Sequence, residues 1–262
     1  MNDLEKYFRQ NDKRIISKWT HYFDVYDRHF SQFRNKEIVI LEIGVYQGGS
    51  LQMWRDYFGP KAKIYGIDIN PKCKELEEEN TRIFIGSQSD RNFLREIKKS
   101  IPPFDILIDD GGHTMEQQIV SFEELFDHVK EEGVYLCEDL HTSYWLDFGG
   151  GHKRKGTFIE YSKNFIDYLN AYHSEQSSLK VNSFTQSVGS LHYYDSILVI
   201  EKQKRAMPLN EKFGHFAFKE EATQETSIAK TQRKLNRLLT KNLNKVLRFF
   251  RLGSIGRSGS VD

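Results

Sequence analysis

The chain has 262 residues, of which 38% are hydrophobic, 29% charged and 13% aromatic, a balance that excludes a disordered or fibrous protein and suits one folded core with appendages. No run of eighteen apolar residues occurs, and Met1–Lys6 lacks the basic and apolar pattern of a secretory leader, so a cytoplasmic location is expected. The net charge of +1 hides nine Lys or Arg against one acid in residues 228–262. The remainder then holds 29 basic and 36 acidic residues, an acidic body that argues against a nucleic-acid partner.

In chain order, Leu4–Phe33 has helical apolar spacing through Ile15, Ile16, Trp19, Tyr22, Phe23 and Tyr26, and predicts one or two helices. Strand-like and helical runs then alternate. The strands are 38–43, 63–69, 82–85, 104–108 and 133–137; the helices are 50–58, one near 73–78, 91–99, 114–129 and one around 158–172. Strand runs at 181–184 and 190–201 follow, separated by a short turn and read as an antiparallel hairpin. Strands interleaved with helices imply crossovers, so the fold class is α/β, a mostly parallel seven-stranded sheet covered on both faces. The implied division is a helical segment on the acceptor side (1–35), a catalytic domain (36–204), a linker (205–227), a basic amphipathic helix (228–252) and a disordered tail (253–262). Cys73 and Cys137 lack the spacing of a disulfide framework or metal knuckle and read as reduced thiols.

In open sheets of this kind ligands lie beyond the carboxyl ends of the strands. After the first strand the chain reads Glu42-Ile43-Gly44-Val45-Tyr46-Gln47-Gly48-Gly49-Ser50 and enters a helix. Glycines there admit a ligand close to the backbone, and the helix start offers free N–H groups to a carboxylate. Asp68 after the second strand is placed for ribose hydroxyls, and Ser87 and Gln88 after the third for an adenine edge. Together they indicate a nucleoside-containing ligand, and Glu42-x-Gly favours S-adenosylmethionine over a dinucleotide.

The fourth and fifth strands end in Asp109-Asp110-Gly111-Gly112-His113 and Glu138-Asp139-Leu140-His141. Asp110, Glu138 and Asp139 delivered to one crevice would repel unless neutralised, and an all-oxygen set suits Mg²⁺ or Mn²⁺. His113 is placed to take a proton near neutral pH. A single Asp after a strand would more simply cap a helix, and His141 has a bland surface role as its alternative.

The Glu42–Ser50 run, the Asp109–His113 turn, the Glu138–Tyr144 segment and Leu191-His192-Tyr193-Tyr194-Asp195-Ser196, with Lys18-Trp19-Thr20-His21-Tyr22 upstream, together resemble the metal-dependent sugar O-methyltransferases of macrolide biosynthesis. The likeness spans about residues 15–204. It implies a Rossmann-like class I methyltransferase fold, a Mg²⁺ held by Asp110, Glu138 and Asp139, and His113 as general base. It also implies donor contacts from Gly44, Gly48, Gly49, Asp68, Ser87 and Gln88; Glu42, Tyr46, Ser50 and Asp109, on the same strand ends and turns, are expected beside them. Gly112 and Ser87 depart from the pattern, which has Ser and Asp there.

The expected activity is Mg²⁺-dependent methyl transfer to a sugar hydroxyl of a small-molecule or lipid-linked glycan acceptor. Alternatives are a catechol-like phenol acceptor and a non-catalytic nucleoside-binding protein. Gly149-Gly150-Gly151 beside Lys153-Arg154-Lys155 suggests a mobile basic lid. From Ile228, Leu235, Leu238, Leu239, Leu243, Val246, Phe249 and Phe250 share one helical face, with Arg and Lys largely opposite. That pattern suits peripheral contact with the inner face of a membrane, a partner's groove, packing on the chain's own body, or a homo-oligomer interface.

Overall fold

The structure, a computed structural model, describes residues 1–218 and, beyond them, 231–236, 238–240 and 242–243. Its first compact unit, Met1–Leu209, holds a seven-stranded sheet. The strands are β1 (Val39–Ile43), β2 (Lys63–Asp68), β3 (Thr81–Ile85), β4 (Phe104–Asp109), β5 (Val129–Cys137), β6 (Val188–Tyr194) and β7 (Ile197–Lys202). Their order is β3-β2-β1-β4-β5-β7-β6; β1 to β5 pair in parallel, and β7 runs against both β5 and β6. This is the class I methyltransferase arrangement. The chain builds outward from β1 to β3, then returns to β4 on the other side of β1. The strand order therefore reverses between β1 and β4, where such sheets open a crevice.

Alternation along the strands sorts side chains onto two cores. Ile38 and Ile40 face Tyr26, Phe30 and Trp54, whereas Val39, Leu41 and Ile43 face Leu94, Leu107 and Phe122. The first core lies under α1 (Asp3–Gln10), α2 (Tyr22–Phe30) and α3 (Gly49–Phe58). The second lies under α4 (Arg91–Ser100), α5 (Met115–Leu125), α6 (Phe158–Ser162), α7 (Asn164–Leu169) and α8 (Ser183–Ser187).

The one or two helices expected ahead of the core are two, α1 and α2, parted by residues 11–21: Asn11 ends α1, its side chain accepting from Lys13 N and donating to the Arg14 carbonyl. That asparagine turn competes with helix continuation, so Ile15, Ile16 and Trp19 lie on a loop despite their helical spacing. The run 181–184, read as a strand, starts α8 instead, because Asn182 and Thr185 form a reciprocal capping box. The hairpin lies wholly within 188–202, turning at Asp195-Ser196 with Ser196 at φ 64°. Cys73 and Cys137 are free and buried.

The second unit, residues 210–262, is helical at 231–236, 238–240 and 242–243. The rest of the expected basic helix and the tail 253–262 lie outside the described residues. Among those described, no helix is long and apolar enough to cross a membrane.

Candidate active site

A cavity of about 380 Å³ opens at the carboxyl ends of β1, β2 and β3. Its floor is the glycine turn. Gly44 has φ 95°, and a Cβ there would stand 2.0 Å from the Asp110 carbonyl oxygen, so only glycine lets β1 and β4 close up at their ends. A Cβ on Gly49 would meet the Ile15 carbonyl at 2.3 Å. Gly48 precedes α3 without a side-chain cap, which leaves the helix's first amides and their positive end for an anionic group.

Of the expected donor contacts, Gly44, Tyr46, Gly49, Ser50, Asp68, Ser87 and Gln88 line this cavity. Asp68 accepts from the Val45 and Tyr46 amides at 2.9 Å each and from Asn70 N at 2.8 Å. It thus pins the glycine turn to β2, and a carboxylate with about four acceptor sites retains room for a ribose hydroxyl.

Gln88 lines the cavity with its side chain engaged on the protein. Its amide nitrogen donates to Asp109 and Ser121 at 3.0 Å each, and its oxygen accepts from Gly112 N at 2.7 Å. The side chain braces the β4 turn and is not free for an adenine edge.

Gly48, Glu42 and Asp109 are not on the cavity wall. Glu42 is wholly buried and accepts from Ser50 Oγ at 2.8 Å and Trp54 Nε1 at 3.1 Å; burial pushes its carboxyl up to about 7, against the pull of Lys18. Asp109 is likewise buried and pushed up to about 7, with the Gln88 hydrogen bond opposing. Both act from behind the wall.

Beside the cavity, Asp110, His113 and Asp139 bring their ligand atoms within 4.8 Å of one another. His113 Nε2 stands 3.4 Å from Asp139 Oδ2 and 3.8 Å from Asp110 Oδ1. Both His113 (φ 57°) and Asp139 (φ 56°) are held left-handed, a conformation that costs free energy and concentrates at functional sites. Thr142 Oγ ties the two turns together, donating to the carbonyls of His113 and Asp139. Asp139 also accepts from Tyr22 OH at 2.7 Å.

Glu138 is not part of that open group. It is 1% exposed, and both its oxygens are engaged at 2.9 Å by the ammonium of Lys18, which also reaches Asp110 at 2.5 Å and Glu42 at 3.9 Å. Burial alone would lower the Lys18 pKa, but the surrounding carboxylates outweigh it and hold the ammonium charged. Burial and the charge of Asp110 raise the Glu138 carboxyl well above its usual range, with Lys18 opposing. Three carboxylates thus surround one ammonium.

The excess negative charge beside a solvent-open pair of carboxylates fits a hard divalent cation. Asp110 and Asp139 would hold it, and Glu138 would join only by sharing with Lys18.

Lys18 and Tyr22 were not anticipated as site residues. No local signal marks Lys18: Ile15 and Trp19 beside it are exposed, and its acidic partners lie 92 and 120 residues away. The loop 15–18 also lines the donor cavity. The glycine run Gly149-Gly150-Gly151, read as a mobile lid, is tied by its amides to the carbonyls of Leu146, Trp145 and Ser143 at 2.8–2.9 Å.

Comparison with known proteins places this geometry. Residues 41–140 match the family model described as a methyltransferase domain. The chain is 39% identical over 202 residues to demethylmacrocin O-methyltransferase of Streptomyces fradiae, covering 72% of this chain and 51% of that protein. It is 38% identical over 190 residues to mycinamicin VI 2''-O-methyltransferase of Micromonospora griseorubida, covering 68% and 47%. Among solved structures it resembles MycE methyltransferase of the mycinamycin pathway, in complex with Mg, SAH and mycinamycin VI. That match has TM-score 0.70 at 34% identity, covering 78% of this chain and 54% of that one. The chain spans about half the length of the curated relatives it matches.

Proposed function

From a chain that carries a class I methyltransferase domain akin to the macrolide sugar O-methyltransferases, we propose an enzyme that moves the methyl group of S-adenosylmethionine to a sugar hydroxyl in a glycan or glycosylated metabolite. One observation carries this reading: Asp110 is at once a wall of the nucleoside-sized cavity and a member of the acid–histidine group. A donor seated in the cavity therefore presents its reactive end to that group.

The glycine turn and the start of α3 receive the amino-acid half of the donor, and Asp68 receives the ribose. Asp110 and Asp139 would hold Mg²⁺ or Mn²⁺, which when bound would supply positive charge that makes an acceptor hydroxyl easier to ionise. His113 Nε2 takes the hydroxyl proton. Its Nε2 lies 3.4 Å from Asp139 Oδ2 and 3.8 Å from Asp110 Oδ1. The acceptor oxygen forms a bond to the methyl carbon as the carbon–sulfur bond breaks, and S-adenosylhomocysteine leaves with the sulfur's electron pair. The proton on His113, a partly exposed residue, passes to solvent.

The test is calorimetric titration of S-adenosylmethionine, followed by a screen of glycosides and catechols for adenosylhomocysteine release with Mg²⁺ or with chelator. Donor binding with metal-dependent turnover of glycosides is expected. Turnover of catechols alone would reassign the acceptor, and absence of donor binding would remove the reading altogether.

A further inference from the structure

Two tryptophans stand exposed on the rim of the acidic crevice. Trp19 is 54% and Trp145 49% exposed, and the two indoles flank one imidazole. The His141 ring centroid lies 5.7 Å from that of Trp19 and 4.5 Å from that of Trp145. His141 Nδ1 is in turn 4.0 Å from Asp139 Oδ1 and hydrogen-bonded to Ser196 Oγ at 2.5 Å. A single exposed aromatic is ordinary. Two indoles sharing a histidine that reaches the Asp139 carboxylate are not explained by packing, since the core already buries the third tryptophan, Trp54, completely.

The platform is fixed in advance. The Trp145 amide donates to the Thr142 carbonyl at 2.9 Å, and its carbonyl accepts from Gly150 N at 2.8 Å. Gly150 has no room for a side chain, because a Cβ would lie 2.4 Å from the Thr142 carbonyl oxygen. The glycine run thus seats Trp145. Trp19 lies on the 11–21 loop next to Lys18, whose ammonium anchors that loop to Asp110 and Glu138.

We propose that Trp19 and Trp145, with His141 between them, form the acceptor platform, on which a pyranoside ring stacks its C–H face while adjacent hydroxyls turn towards Asp139 and His113. An indole presents a negative ring face and a wide apolar surface, which complements the C–H face of a pyranose while leaving its hydroxyls free at the edge. The His141 imidazole, one nitrogen committed to Ser196, offers the other to a sugar hydroxyl. The proposal rests on the function given above for the site and names the residues that select its substrate.

Of the chain's three tryptophans two are these, and Trp54 is shielded, so intrinsic fluorescence reads the platform without any turnover. Methyl α-L-rhamnopyranoside and methyl α-D-glucopyranoside are titrated into the full chain with and without Mg²⁺. A saturable emission change is expected, and it should vanish in the Trp19→Phe/Trp145→Phe double variant. In turnover assays Trp145→Ala is expected to raise KM for an accepted glycoside by roughly 2- to 12-fold, the worth of one aromatic contact, with kcat nearly unchanged. Its affinity for S-adenosylmethionine should match the parent, since Trp145 does not line the donor cavity. Glycoside binding without methyl transfer would leave the platform standing and remove the proposed reaction. An emission that neither pyranoside changes, or that only catechol changes, would overturn the platform, as would an unaltered KM in Trp145→Ala.

Discussion

Replacing Lys18 by Met tests whether one ammonium holds the acidic centre together. The side chain is 2% exposed and lies within 2.5–3.9 Å of Asp110, Glu138 and Glu42, with its charge also over the Tyr26 ring at 5.7 Å. Met keeps the length and apolar stem and deletes the charge. Removing one partner of a buried ion pair costs about 3–5 kcal/mol, because the other charge stays buried and uncompensated. With a urea m-value of about 1–3 kcal/mol/M, the unfolding midpoint should fall by roughly 1–5 M.

Two features separate this from a packing defect. The loss should shrink as pH falls from about 8 to about 5.5, because the orphaned carboxylates take up protons in place of the ammonium. Saturating Mg²⁺ should restore more stability to the variant than it adds to the parent, since the ion binds the folded state and supplies the missing positive charge. Urea denaturation monitored by far-UV circular dichroism, at both pH values with and without Mg²⁺, gives all four numbers. A midpoint that moves by the same amount under every condition would refute the electrostatic role given to Lys18.

His113→Ala is expected to lower kcat by about 10²–10⁴-fold while leaving the S-adenosylmethionine Kd within error, measured by adenosylhomocysteine release and calorimetry. A variant that turns over normally would assign the base elsewhere. Gly49→Val places a side chain against the Ile15 and Arg14 carbonyls, whose oxygens stand 2.3 and 2.6 Å from the Cβ position. It should displace the 14–18 loop from the cavity and weaken donor binding, again read by calorimetry. Chelation should abolish turnover and leave donor affinity largely intact, because the cavity shares only Asp110 with the metal group. Glu42→Gln has a pH signature. Burial raises the folded-state pKa of Glu42 from 4.5 to about 7, so its stability contribution is full below the lower value and lost as pH rises through the upper one. In metal-free protein the Gln variant should therefore lose less stability than the parent across that window.

Most of the sheet was legible because its signals are local. Val39-Ile40-Leu41 is apolar on both faces, as a strand buried on both sides must be, and each ligand-side turn follows its strand directly. Lys18 was not legible, because its partners lie 92 and 120 residues away and its neighbours have helical spacing. The loop exists because the Asn11 side chain satisfies local backbone groups, a competition that apolar periodicity does not register. The same holds for Asn182, whose capping box turned an expected strand into a helix.

The tandem acids show what could have been read more closely. Successive residues at a strand end point to opposite faces, so Asp109-Asp110 and Glu138-Asp139 cannot send all four carboxylates into one crevice. Asp109 goes to Gln88 and Ser121's neighbourhood, Asp110 to the cavity, Glu138 to Lys18, and Asp139 to His113. Register sets Asp110 beside Glu138, and Lys18 meets both; Asp139 reaches the open group because its left-handed backbone (φ 56°) breaks the alternation, which leaves Asp109 and Glu138 as the buried acids. The interior acid then requires either a neutral partner, as Asp109 has in the Gln88 amide, or a buried cation, as Glu138 has in Lys18. A buried Glu one residue before an open-site Asp thus implies a lysine or arginine elsewhere in the chain.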